Sequence, residues 1–438
     1  MTTQDHRLLR AGPVRLKFAD GELRYLKVGD REIIRRIYYA VRVASWDTPM
    51  PRFTRVEIDD GGDHFDIRMD AACRRDDCDF EWSGRICGAE DGTITFDVDG
   101  KANAVFESPR IGFCVLYGNE ALAGQAFKLT HPDGATSTNA FPLLVKPTLV
   151  AEYHRALAYR TDSGIDVAVD THDSPMRMED QRNFGDDSYK SFTDNRYGDE
   201  QADRGARLSE KLTLTVRADE PAEDTPRVPI AVPLNDNGES LVIPKITIGT
   251  NTPLVDWSKL NRNRDEYRSQ ERITFGIIPG MHLYDNDSYM ENAPAIVPEV
   301  ATLRSFASCN HVRIDPVSLK APYDTAEMML EGGPDFAAAW CARMIKYLAA
   351  AKVDAAAFDI DERAPRKILE MLSGHAGKRI LPSGIDPHAE IDAFGVMEPD
   401  GCRAWVINKT LQPQQARLTG LIAEEISLAP LEVRVLGS

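Results

Sequence analysis

From Val14 to about Arg217 apolar and polar residues alternate in short runs separated by turn dipeptides. Val14-Arg-Leu-Lys-Phe leads into Asp20-Gly21, Arg55-Val-Glu-Ile into Gly61-Gly62, and Thr93-Ile-Thr-Phe-Asp-Val into Asp99-Gly100. A two-residue period buries one face of a strand and wets the other, and Asp-Gly or Gly-Gly supplies the positive φ of a tight hairpin. The pattern predicts a large antiparallel β-domain built as a sandwich. Arg110-Ile-Gly-Phe-Cys-Val-Leu-Tyr117 is apolar on both phases and predicts a central strand, whereas His131-Pro-Asp-Gly134 predicts a turn.

The segment Arg217 to Pro233, rich in proline and acid, reads as a linker. Beyond it the rhythm changes. Ile246 to Gly249, Ile273 to Ile278, Val312 to Ile314 and Val353 to Phe358 are short apolar runs separated by helical stretches. The clearest helix runs from Asp335 to Ala351, with Phe336, Trp340, Met344, Ile345 and Leu348 along one stripe. Strands alternating with helices imply parallel pairing, but only about four repeats occur where a closed barrel needs eight. From about Arg379 strand patterns return, with Asn408-Lys409-Thr410 as a hairpin tip. The predicted fold class is therefore multidomain α+β. It comprises a β-sandwich domain over 1–222, a truncated half β/α barrel over 223–378 and a small C-terminal β-module over 379–438.

Composition narrows the function. A formal charge of −17 over 438 residues disfavours nucleic acid and anionic membranes, which select for clustered Lys and Arg. No apolar run approaches a membrane span, the start Met-Thr-Thr-Gln-Asp-His-Arg has no hydrophobic signal region, and a cytoplasmic location is expected. Seven scattered cysteines, an odd number, argue for reduced thiols, and the spacing of Cys73, Cys78 and Cys87 matches no zinc ribbon.

One stretch stands apart. Met178 to Phe192 mixes acids, cations, amides and aromatics with no apolar period, which predicts an irregular loop held over a scaffold. A solvated charged loop has no need of Phe184, Tyr189 and Phe192.

Glu179-Asp-Gln-Arg-Asn183, with Asp186, Ser188, Tyr189, Lys190 and Arg110 to Leu116, resembles the amino-terminal domain of the D-apionate lactonase family of bacterial sugar-acid catabolism. Asn261-Arg262, Pro279-Gly-Met-His-Leu-Tyr-Asp285 with Ser288, Glu291 and Asn292, Asp315 to Leu319, and Ala338 to Ala349 resemble its middle domain. The resemblance implies a β-domain, a (β/α)8 barrel like that of glycoside hydrolases, and a small β-domain. The chain departs from it by lacking several strand-helix units before Gly249-Thr-Asn251. Lys259 also stands where the family has an acid, and Asp315 where it has a small polar residue.

Opening a lactone needs a base for water and a donor for the oxyanion. His282, Asp285, Asp315 and Asp361 follow predicted parallel strands and are the candidate catalytic set, with His282 and Asp285 as a base pair. The plainer role for His282 is a hydrogen bond to a loop carbonyl. Glu179, Asp180, Arg182, Asn183, Asp186, Tyr189, Lys190 and Asn261 are the candidate substrate contacts. Arg182 and Lys190 either grip a carboxylate or carbonyl, or pair with Glu179 and Asp186. The expected function is a carbohydrate-active hydrolase opening a sugar-derived lactone such as D-apionolactone, with no cofactor and no metal. The alternatives are a glycosidase using paired carboxylates, or a non-catalytic sugar- or partner-binding relative. A half barrel leaves strand edges and an apolar face open, which predicts a homodimer.

Overall fold

The computed structural model describes residues 7–194, 201–218, 229–250, 254–278, 285–320, 330–360 and 362–437. The chain divides into two compact units, one of Met1–Gln181 with Ser188–Thr225 and one of Arg182–Asp187 with Pro226–Ser438. Among the described residues no helix is long and apolar enough to cross a membrane.

The first unit consists of two antiparallel sheets enclosing one core. In the first sheet the spatial order is Arg7–Ala11, Val14–Ala19, Glu22–Val28, Arg31–Val41, Ile111–Gly118, Ser188–Thr193, Met176–Asp180 and Ala151–His154. The second runs Thr136–Ala140, Ala126–Thr130, Ala156–Arg160, Ile165–Asp170, Arg207–Ala218, Thr93–Ala102, Cys78–Gly88, Phe65–Arg75 and Arg52–Asp60. Alternate residues of both sheets fill the core, including Ile37, Val115 and Met178 from one and Ile67, Ile86 and Leu214 from the other. Tyr39 and Phe113 meet Trp82 and Phe96 across the layers, at centroid distances of 5.7 Å for Tyr39–Trp82 and 5.0 Å for Phe96–Phe113. The strand predicted at Arg110 to Tyr117 is central and wholly buried. Cys73 and Cys78 are free buried thiols, each pushed up to about 12 chiefly by burial.

Two local expectations are corrected. Asp99-Gly100 is no turn but lies inside the strand Thr93–Ala102, and a Cβ on Gly100 would sit 2.3 Å from the Phe80 ring, so the glycine makes room rather than bends. The stretch from Met178 is not one irregular loop either. Met176–Asp180 and Ser188–Thr193 pair antiparallel, and Gln181–Phe184 forms a 3-10 turn between them. Alternation hides in these strands because the sheet is buried on both faces, so polar and apolar residues alike are inside.

The second unit holds a four-stranded parallel sheet in the order Lys245–Ile248, Ala355–Asp359, His311–Ser318 and Arg272–Ile277. One face packs on helices, with Trp257 against Phe275 and Trp340 against Phe358. On the other face Thr274, Arg313 and Ala355 are register neighbours, as are Thr247 and Ala357. That face is small and polar, not apolar as expected, and the Gly276 N–H also donates to the Val255 carbonyl along the outer edge. The apolar-face motive for a second copy is thereby removed.

The linker is shorter than expected, because Ile230–Leu234 is a strand paired in parallel with Gln414–Gly420. With Glu424–Leu428 it forms a small sheet that shares a core with Ile380–Pro382, Ile391–Glu398, Gly401–Asn408 and Val433–Leu436, through Val232, Leu234, Ile391, Val406, Leu418 and Leu428. The helix predicted over Asp335 to Ala351 is present as Gly333–Ala350, but it is buried almost all round and not along one stripe alone. It carries Arg343 and Lys346 onto Asp392 at 2.5 Å each, all three out of solvent. Burial pushes the Asp392 carboxyl up, but Lys346, Arg343 and Lys409 outweigh it and hold it at about 2.

Asp392→Asn should cost about 3 to 5 kcal/mol in urea denaturation, because it strands two buried cations. A second test uses His154, whose burial pushes the imidazole down to about 4. Between about 6.5 and 4 the unfolded chain takes a proton that the native imidazole refuses, so stability falls as pH drops through that window, by up to about 3 kcal/mol. His154→Leu should flatten this slope.

Candidate functional site

In the first unit the eight-stranded sheet carries its chemistry on the face opposite the core. Cross-strand register aligns Arg24, Arg36, Leu116, Lys190 and Glu179 in one row, and Tyr38, Cys114, Phe192 and Arg177 in the next. Arg42 follows at the strand end, its N–H donating to the Arg110 carbonyl at 2.9 Å. Most of these groups are removed from water, with Arg36 at 1 % exposure, Lys190 at 2 % and Arg42 at 3 %, while Arg177 and Glu179 are half-buried. Buried cations need partners. Glu22 accepts from Arg36 Nε at 2.6 Å and Arg24 Nε at 3.3 Å. Glu179 accepts from Arg110 Nη2 at 3.4 Å and Gln181 Nε2 at 2.9 Å, and lies 3.6 Å from Lys190 Nζ. Lys190 in turn donates to Gln181 Oε1 at 3.0 Å. Burial pushes the Lys190 ammonium down to about 8, opposed by Glu179 and reinforced by Arg42 and Arg110. The Arg110 guanidinium lies 3.3 Å from the Phe192 centroid and 5.7 Å from that of Trp46.

The remaining expected contacts of this unit have protein partners. Asp180 accepts the Lys146 N–H at 2.9 Å, and Tyr189 donates to the Pro142 carbonyl at 2.6 Å while packing on Phe141. Asp63, His64 and Glu90 bring ligand atoms within 4.8 Å of one another, but all three are exposed and His64 simply pairs with Asp63.

The six residues Arg182–Asp187 belong to the second unit. There Asn183 accepts from Asn261 Nδ2 at 2.6 Å, and Asn261 in turn accepts from Arg264 at 2.7 and 3.0 Å. Asn292 donates to Asp186 at 3.0 Å and accepts the Asp187 N–H at 3.0 Å. One amide thus satisfies both a carboxylate and a backbone group that would otherwise be buried alone. Arg182 is fully buried.

Of the expected catalytic set, His282 and Asp361 lie outside the described residues. Asp285 caps the helix Asn286–Glu291, accepting the Ser288 N–H at 2.9 Å and its hydroxyl at 3.1 Å. Asp315 is buried, held by Arg313 at 2.9 and 3.1 Å and by the Thr250 hydroxyl. Asp359, the last residue of the neighbouring strand, is paired with Lys320 at 2.7 Å. Sequence reasoning passed over Arg36 and Arg42. Their spacing, opposite Ile37, Tyr39 and Val41, is that of an ordinary wet strand face, and only burial marks them out.

Asn292→Ala should cost about 1 to 3 kcal/mol in chemical denaturation, since it takes one partner from Asp186 and one from the Asp187 N–H.

Comparison with known proteins supplies the family. Residues 1–218 match the family model "D-apionate lactonase, N-terminal domain", and residues 217–330 match "D-apionate lactonase, TIM barrel domain". A D-apionate lactonase from Brucella anthropi is 29 % identical over 186 residues, which is 42 % of this chain and 30 % of the relative. The match therefore spans less than a third of that relative's length. Among solved structures, an aldose 1-epimerase homologue from Escherichia coli K12 superposes with a TM-score of 0.33 at 9 % identity, over 49 % of this chain and all of the other. A GH36 α-galactosidase from Geobacillus stearothermophilus gives 0.35 at 9 % identity, over 96 % and 94 % of the two chains. With the two domain models together matching residues 1 to 330, the chain belongs to the D-apionate lactonase family.

Proposed function

We propose that this chain is a carbohydrate-active hydrolase that opens a sugar-derived lactone, such as D-apionolactone, to its hydroxy acid without a cofactor or metal. Family membership supports the reaction class. The observation that carries the site is the Glu179 carboxylate, a quarter exposed at its side chain, set against Arg110 and Lys190. In this reading Glu179 takes a proton from the water that attacks the acyl carbon, the two cations polarise the lactone carbonyl and receive the charge that develops on its oxygen, and Glu179 returns the proton to the ring oxygen as the acyl C–O bond breaks. Lys190 must then be protonated to act. The four-stranded parallel sheet is read as a shortened β/α barrel in which Asp285 and Asp315 hold the strand ends together. His282 and Asp361 are kept as proposed rim bases.

A second reading, a sugar-binding relative without turnover, is favoured by the fact that Asp285, Asp315 and Asp359 already have protein partners. Acid release from a panel of aldonolactones separates the two. Turnover should fall at least a hundredfold in Glu179→Gln, and its rate should decline above about pH 8 as Lys190 loses its proton. Lys190→Arg should abolish that decline. Lactone opening that survives Glu179→Gln but is lost in His282→Ala or Asp361→Asn would move the chemistry to the rim, and no opening of any lactone by the wild type would leave the binding reading.

A further inference from the structure

The nine-stranded sheet of the first unit ends in an open edge. Its terminal strand, Arg52–Asp60, pairs with Phe65–Arg75 on one side and, among the described residues, with no strand on the other. None of its nine residues is buried. Such an edge is a row of unpaired N–H and C=O groups that another strand can match. The hairpin decides which groups these are. The Gly61 N–H donates to the His64 carbonyl at 2.9 Å, so by the alternation of an antiparallel ladder Asp59, Glu57 and Arg55 turn their backbone groups toward Phe65–Arg75. Val56 and Ile58 turn theirs outward. Val56 stands opposite Met69, which is wholly buried, yet Val56 itself is 43 % exposed and lies outside the core that its neighbours form. Arg55 and Glu57 point to the other face. Arg55 meets Asp70 at 2.9 Å with both side chains well exposed, and Glu57 has no hydrogen bond or ion pair among the described residues.

We infer that a second copy of this chain docks on this edge, strand to strand about a two-fold axis through Val56, so that two nine-stranded sheets become one continuous sheet. The order of charges along the strand selects that partner and that register. Its cations, Arg52 and Arg55, precede its anions, Glu57, Asp59 and Asp60, so an antiparallel copy of the same strand presents anions to cations. With the axis at Val56, the two valines oppose each other and exchange their outward N–H and C=O groups, covering the apolar side chains left in water. Arg55 then opposes the partner's Glu57, twice over, at the position where cross-strand side chains come closest. Moving the axis to Glu57 or to Ile58 would set Glu57 against itself or against the partner's Asp59. The register shift between Phe53 and Arg55 confines the clean ladder to Thr54–Ile58, so the interface is small and the dimer a weak one. Nothing in this pairing depends on the lactonase reading.

Sedimentation velocity of the full chain over a protein range of about 1 to 200 μM tests this, with the melting temperature as a check on folding. The wild type should show a monomer–dimer equilibrium with a Kd on the order of 10 μM, weakened about threefold or more by raising the salt from about 50 to about 500 mM. Arg55→Glu and Glu57→Arg, each of which opposes like charges at both symmetric positions, should each raise the Kd about tenfold or more. The double variant, which restores unlike pairs in reversed order, should return it to within about threefold of wild type. Val56→Pro should abolish the dimer while leaving the monomer folded, because the N–H it removes points away from its own sheet. If Val56→Pro melts early, the charge reversals, which touch only exposed side chains, decide alone. A wild type that stays monomeric throughout the range would overturn the inference, the charges then serving to keep the edge apart. So would a dimer that survives both single reversals, or one that the double variant fails to restore.

Discussion

Charge removed from water on the second face of a β-sheet is the constraint around which the first unit is organised. An eight-stranded sheet with one face in an apolar core ordinarily shows the other to solvent. Here that other face is buried as well, and it carries guanidinium and ammonium groups whose dehydration costs several kcal/mol each unless answered by carboxylates and hydrogen bonds. Glu22 and Glu179 answer most of it, each shared between two cations. The lowered pKa of Lys190 and, among the described residues, the unpartnered Nε and Nη2 of Arg42 are the part left over.

The second unit solves a related problem in another way. Among the described residues its parallel sheet has four strands, and their ends and outer edge need partners of their own. Side chains supply them. Asp315 is tied down by Arg313 and Thr250, Asp285 is spent on a helix cap, and Val255 hydrogen-bonds along the outer edge. The same rule governs the six residues Arg182–Asp187, which are held by the amides of Asn261 and Asn292 rather than by a ladder of backbone bonds. Carboxylates gathered at strand ends are therefore weak evidence of catalysis until their partners are counted.

The buried Arg343–Lys346–Asp392 cluster shows what the same chemistry looks like when it is purely architectural. One carboxylate faces two cations at 2.5 Å, and further acceptors come from Ser383 and the Pro387 carbonyl. A helix that is apolar nearly all round is thereby pinned in one orientation against a sheet. The contrast with Arg42 is instructive. Both guanidiniums are buried, but among the described residues Arg42 has no anionic partner.

Local pattern alone determined a great deal. Period-two alternation with Asp20-Gly21 and Gly61-Gly62 announced antiparallel strands, because a strand with one wet face writes its geometry into every second residue. The Gly333–Ala350 helix, the four parallel strands and the family resemblance were legible for the same reason, being short-range or motif-borne. Tertiary structure alone decided the rest. The pairing of Met176–Asp180 with Ser188–Thr193 and the strand Ile230–Leu234 depend on partners far away in sequence, and Gly100 answers to Phe80 on a neighbouring strand. Whether a carboxylate is a base, a cap or half of an ion pair, and whether an arginine on an alternating strand is wet or buried, is settled by what the fold places within three or four ångströms of it. No reading of residue order contains that distance.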